Sequence, residues 1–144
     1  TKIYREIDRI CLDYDVKQDE AMLAAGLDVT PCTKGSEFRK KIIPQIYSKA
    51  EYDQVKQVYD YKNWIFTVYK LNLTKESQFK SLASFCKKNG IKTVTVPKGI
   101  LTSNIVKILQ KKNLAVATHT VNTDWEYNKY KKMKVNIIYT DFLQ

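Results

Sequence analysis

Apolar residues follow two rhythms along this chain. Short β-prone runs stand at Ile10–Val16, Ile42–Tyr47, Trp64–Tyr69, Thr93–Val96, Leu114–Val121 and Val135–Tyr139. Between them, apolar positions recur every three or four residues, as in Tyr52, Val55, Val58 and Tyr59, or Phe79, Leu82, Ala83 and Cys86. The first rhythm predicts strands, and the second predicts helices with one buried face. Punctuation agrees with both. Ser48 with Glu51, Thr74, Thr102 or Ser103, and Thr123 with Glu126 stand where helix N-caps belong. Gly90 stands at a helix end and Pro97 stops a strand. A short helix is expected over 20–25, and an irregular stretch over 27–41, which contains Pro31, Gly35 and Arg39-Lys40-Lys41.

Strand and helix therefore alternate from about residue 10 onward, which predicts parallel strands joined by right-handed helical crossovers. Strands that are apolar almost throughout agree, because such sheets are covered on both faces. The expectation is one α/β domain over 1–144, with about six strand–helix units. On length alone, a doubly wound open sheet fits better than a (β/α)8 barrel, which needs roughly 200 residues or more. Neither a G-x-G-x-x-G nor a Walker pattern marks a nucleotide site.

Composition narrows the chemistry. No segment approaches the roughly 20 consecutive apolar residues of a membrane-spanning helix. The three cysteines lie far apart with no C-x-x-C, which argues against a disulfide framework and a structural zinc site. Unpaired cysteines lean towards a reducing compartment, and with no signal-peptide pattern visible, cytoplasmic and cell-surface locations both stay open. His119 is the one histidine in the sequence, so a mechanism needing two from this chain is excluded. With 25 Lys plus Arg against 15 Asp plus Glu, the net charge is +10. The cations are scattered, with small clusters at Lys87-Lys88, Lys111-Lys112 and Lys129–Lys132. That scatter reads first as solvated faces and second as attraction to an anionic ligand or membrane surface. A phosphate-backbone stripe is missing, so nucleic acid is not an expected partner. Trp125, Tyr127 and Tyr130 read as helix packing, with an aromatic-and-lysine membrane contact as the sharper alternative.

The ends of the last strands add a different signal. Thr118-His119-Thr120-Val121-Asn122, a helix, and then Ile137-Ile138-Tyr139-Thr140-Asp141-Phe142 resemble the closing segment of the glycerophosphodiester phosphodiesterase family, relatives of the phosphatidylinositol phospholipase C-like barrel phosphodiesterases. In that family the seventh strand commonly ends W-T-V-N and the eighth I-I-T-D. Ile43–Tyr47 with Glu51-Tyr52, and then Phe66–Tyr69, resemble its fourth and fifth strands. Asp15-Val16-Lys17 resembles the E-I-K that ends its third. The resemblance implies a TIM-barrel-type (β/α) sheet that is incomplete, holding the third to eighth strands with the N-terminal units missing from this chain. It also implies metal-dependent hydrolysis of phosphodiesters, with Mg²⁺ or Ca²⁺ as cofactor and a phosphodiester or phosphate-bearing small molecule as ligand.

By the same resemblance, Lys17, Gln45, Tyr47, Tyr69 and His119 are the expected substrate-binding residues and Asp15 the expected metal ligand. His119 holds the place of an aromatic that lines the pocket, Asn122 shapes the following loop and Asp141 anchors the mouth. Gln45, Tyr47, Tyr69, His119 and Asp141 are expected to converge at the C-terminal edge of one sheet, where both barrels and open sheets bind ligands. The family's H-R-G, E-x-D and H-D elements are absent from the sequence. They supply the acid–base pair and most metal ligands, so no residue of this chain is expected to be catalytic. Two readings stay open: a piece of a phosphodiesterase, or a non-catalytic module that binds a phosphate ligand or a membrane surface. A barrel without its first strands leaves unpaired edges, so a dimer through the open edge, or cover from residues 1–8, is expected.

Overall fold

A computed structural model describes residues 2–26 and 31–142. Each of the five later apolar runs contains a strand: β1 Gln45–Ile46, β2 Ile65–Thr67, β3 Thr93–Pro97, β4 Ala115–His119 and β5 Ile137–Ile138. Six α-helices stand among the described residues: α1 Lys2–Ala24, α2 Lys34–Lys41, α3 Lys49–Val58, α4 Glu76–Lys88, α5 Ser103–Gln110 and α6 Asp124–Lys132. None is long and apolar enough to cross a membrane. The chain divides into two compact units, one of 1–44 with 50–62, the other of 45–49 with 63–144.

The second unit is the sheet. Its five strands are all parallel, pair in the order β1-β2-β3-β4-β5, and form an open sheet. Register gives the two faces opposite characters. Ile46, Phe66, Val94 and Val116 stand in one row and Val96, Thr118 and Ile138 in another on the same face. The first four are fully buried. The Phe66 ring meets Phe85 of α4 edge-on, 6.2 Å between centroids, so this face lies under the helices. There α4 buries Phe79, Leu82, Ala83 and Cys86, and α5 buries Ile105, Val106 and Leu109. Each large side chain removed from water here stabilises by about 1.5–3 kcal/mol. Thr118 is the polar exception, and its hydroxyl donates to the Val96 carbonyl at 2.9 Å. Gln45, Ile65, Thr93 and Ala115 share the opposite face with Thr67, Thr95, Ala117 and Ile137. That face is small and polar by comparison.

Caps define the helix ends in this unit. The Thr102 hydroxyl accepts from Ile105 N–H and the Thr123 hydroxyl from Glu126 N–H, both at 3.3 Å. Helix α4 starts one residue later than Thr74 predicts. The Gln78 side chain accepts from both Thr74 and Lys75 N–H at 2.9 Å, which satisfies two donors at once. Gly90 follows α4 at φ +70°, the left-handed conformation that ends helices.

The first unit corrects the sequence reading. Ile10–Val16 is not a strand but the middle of α1, a helix of 23 residues. Ile3, Ile7, Ile10, Cys11 and Tyr14 recur at helical spacing, and Arg9 bridges Glu6 one turn before it and Asp13 one turn after. The longer window carries the correct period. Residues 2–8 are the first turns of this helix. Residues 34–41, expected to be irregular, form α2; residues 27–30 lie outside the described residues. Gly35 lets α2 close on α1, since a Cβ there would collide with the Cys11 carbonyl. Arg39 of α2 reaches Asp8 of α1 at 2.6 Å and stacks on the Tyr59 ring at 4.2 Å.

Candidate functional site

The small, polar face of the sheet ends in a cavity of about 380 Å³ at the C-terminal strand edge. Strand alternation builds it. Gln45, Thr67 and Thr95 point opposite to Ile46, Phe66 and Val94, and Tyr47, Tyr69, His119 and Tyr139 continue at the strand ends. Gln45 Nε2 donates to the Thr67 hydroxyl at 2.8 Å. Thr95, in register with Thr67, is 1% exposed, and its hydroxyl has no hydrogen-bond partner. Such a group costs about 1–3 kcal/mol when left unpaired. It lines the cavity. The rings of Tyr69 and His119 stand 6.4 Å apart, and Lys70 Nζ lies 4.7 Å over the Tyr47 ring. Among the described residues, no carboxylate lines the cavity.

Two loops close the neighbouring edge. Val121 N–H donates to the Tyr139 carbonyl at 2.9 Å, extending the β4–β5 pairing beyond the strands. Asn122 then exchanges two hydrogen bonds with Asp141, 3.2 Å from its side-chain amide to the carboxylate and 3.0 Å from Asp141 N–H to Asn122 Oδ1. The His119–Thr120 peptide bond is cis. Lys98, after β3, pairs with Glu126 at 2.7 Å, while Tyr130 O–H donates to the Lys98 carbonyl at 3.0 Å. The Lys98 hydrogen bond holds the Glu126 carboxyl below its ordinary range.

No family model and no curated protein matches this chain. Its chemistry has to be read from its own groups. Four of the five expected substrate-binding residues, Gln45, Tyr47, Tyr69 and His119, meet around one cavity, with Asp141 holding the adjoining loop. Lys17 and Asp15 belong to the first unit. Both lie on α1, where Lys17 is exposed and Asp15 is 8% exposed. Asp15 Oδ1 accepts from Gly35 N–H at 2.7 Å, and Oδ2 accepts from the N–H and hydroxyl of Ser36 at 2.9 and 2.7 Å. It satisfies the free donors at the start of α2, where Thr33 makes no side-chain cap. Asp15 thus caps α2 from α1, with both carboxylate oxygens engaged. Among the described residues, no three His, Cys, Asp or Glu side chains gather as a metal site would require.

Thr67, Thr95 and Tyr139 are the lining residues the sequence reading misses, together with Lys70 beside them. The signal for the threonines is their alternation with Phe66 and Val94. A polar residue at every second strand position marks a face that is not core. Hydroxyls, an amide, an imidazole and one ammonium group can hydrogen-bond an alcohol and hold an anion. Alone, they offer no acid–base pair.

Proposed function

We propose that this site binds the phosphate ester of a small polyol, and that the chain is an arc of a glycerophosphodiesterase-type (β/α)8 barrel. The supporting observation is strand order. Five consecutive strands pair side by side, in sequence and all parallel. Right-handed crossovers taken always in the same direction put every connecting helix of that run on one face. A doubly wound sheet reverses direction to cover both faces, whereas a barrel never reverses and turns its other face inward. The row of Gln45, Thr67 and Thr95 has the size and polarity of such an inner face, and β1 and β5 are the two ends of the arc.

In this reading, the Thr95 hydroxyl, the Gln45 amide and the tyrosines hydrogen-bond the alcohol while Lys70 attracts the phosphate. Hydrolysis of a phosphodiester needs a proton acceptor, a proton donor and charge stabilisation at the phosphoryl oxygens, and the cavity offers one imidazole towards these. The phosphodiesterase activity therefore belongs to a complete barrel, with this chain as its ligand-binding wall. The alternative, a binding module with no chemistry, is favoured by Asp15, whose oxygens are engaged by α2.

Isothermal titration with glycerol 3-phosphate, inorganic phosphate and glycerol tests the reading. Saturable binding of the ester, weakened about tenfold in Thr95→Val by loss of a hydrogen bond of roughly 1.5 kcal/mol, supports it. No saturation by ester or phosphate, in a chain shown folded by circular dichroism, overturns it.

A further inference from the structure

The strand edge at which this cavity opens, its rim, carries exposed aromatic rings. Trp125, in the first turn of α6, is 71% exposed, Phe142 after β5 is 77% exposed, and Tyr69 at the end of β2 is 65% exposed. All three follow the C-terminal ends of strands, so they share the edge where the cavity opens. The paired hydrogen bonds between Asn122 and Asp141 bind the loop before Trp125 to the residue before Phe142. The segments that carry Trp125 and Phe142 are therefore hydrogen-bonded to each other. Lysines accompany the rings: Lys129 Nζ lies 5.4 Å from the Trp125 ring centre, and Lys70 covers Tyr47. Of the nearby carboxylates, Glu126 is engaged by Lys98 and Asp141 by Asn122, while Asp124 stands beside Trp125 in the first turn of α6.

We propose that this rim docks on an anionic lipid bilayer, so that the phosphate ester entering the cavity is the headgroup of an amphiphile. The proposal rests on the phosphate-ester reading of the cavity and adds where the ligand is met. Trp, Tyr and Phe favour the zone between headgroups and acyl chains, where an apolar ring is buried and its polar edge stays wet. Lysine beside them keeps its ammonium among the headgroups. A net charge of +10 concentrates the chain at a negative surface before the rings enter. An apolar cleft for another protein would need no such charge.

Tryptophan emission reports the contact directly, because Trp64 is only 3% exposed and Trp125 alone faces water. With vesicles of equimolar phosphatidylcholine and phosphatidylglycerol, the emission of the full chain should shift to the blue and the protein should float with the vesicles. Phosphatidylcholine alone should bind more weakly, and added salt should narrow the difference. Trp125→Ser and Phe142→Ser, both at exposed positions, should each lower flotation about tenfold, which is about 1.4 kcal/mol. Trp125→Ser and Phe142→Ser, whose side chains are not among the residues lining the cavity, should leave glycerol 3-phosphate binding unchanged, which separates the rim from the floor. Absence of a shift and of flotation with anionic vesicles overturns the docking while glycerol 3-phosphate binding still judges the cavity. A shift produced by single-stranded RNA but not by vesicles overturns it as well.

Discussion

Thr67 and Thr95 stand side by side in register on β2 and β3, yet only one hydroxyl is satisfied. Thr67 accepts from Gln45 at 2.8 Å, whereas Thr95 Oγ1 is buried without a partner. Two identical side chains on one face thus differ in what they leave for a ligand.

The difference predicts opposite mutational signs. Thr95→Val removes an unpaired buried hydroxyl, so stability in urea should hold or rise by up to about 1 kcal/mol. Thr67→Val removes the acceptor of a side-chain hydrogen bond and should cost about 0.5–1.5 kcal/mol. Urea melts of the two variants check the contrast, and equal losses at both positions would contradict it.

Gly35→Ala should be among the most damaging small substitutions in the first unit. The added methyl meets the Cys11 carbonyl, which is backbone and cannot swing aside. Separating α2 from α1 would also loosen the three hydrogen bonds that Asp15 accepts. Overpacking of this kind costs roughly 1–3 kcal/mol. Thermal unfolding of Gly35→Ala beside Gly99→Ala, where a Cβ meets nothing within 4 Å, measures the difference.

Much of the sheet unit was legible because its strands and helices carry different periods and explicit caps. Thr93–Val96 and the Phe79, Leu82, Cys86 stripe each satisfy one template only. The N-terminal part was not legible for a physical reason. Ile10 to Val16 mixes β-branched and acidic residues in a short window that either period can fit. The deciding features are the Arg9 bridges to Glu6 and Asp13 and the remote cap that Asp15 gives to α2, 20 residues further on. A carboxylate satisfying another helix from 20 residues away leaves no local pattern. The resemblance named all six residues; Gln45, Tyr47, Tyr69 and His119 stand at strand ends that the apolar pattern also defines, whereas Asp15 and Lys17 stand on a helix that it does not.

Asp15 also sets a direction for pH. Burial pushes its carboxyl up, but the Ser36 hydroxyl and the Gly35 and Ser36 amides outweigh burial and hold it below the ordinary Asp range. A carboxyl depressed in the folded state binds its proton more readily when unfolded. Its stabilisation is therefore complete above the unfolded value near 3.9 and is lost as pH falls through the lower folded value. Asp15→Asn should lower stability at neutral pH and flatten its decline below about pH 4. Urea midpoints at neutral and acid pH test this, and an unchanged acid slope would count against it.

Thiol chemistry should sort the three cysteines. Burial pushes the Cys86 thiol up to about 12 and raises Cys11 as well, so neither supplies thiolate near neutrality. Cys32 is half-buried. Titration of the folded protein with an aromatic disulfide should modify Cys32 first, with the other two reacting after denaturant is added. Fast modification of Cys86 in the folded chain would mean that the α4 face of the sheet opens readily.

Catalysis gives the last prediction, and its expected sign is negative. Supplied with Mg²⁺ or Ca²⁺, the 144-residue chain should release no glycerol phosphate from glycerophosphodiesters above background. Positioned proton transfer contributes about 10²–10⁴-fold, and the cavity offers one imidazole with no carboxylate among its described lining residues. His119 faces Tyr69 and so stands as a wall of the cavity. Binding and turnover then separate: His119→Ala should weaken glycerol 3-phosphate several-fold while the assay stays at background for both proteins. Robust metal-dependent turnover that His119→Ala abolishes would instead make His119 catalytic, and the ligand-binding wall would have to be redrawn as an active site in its own right.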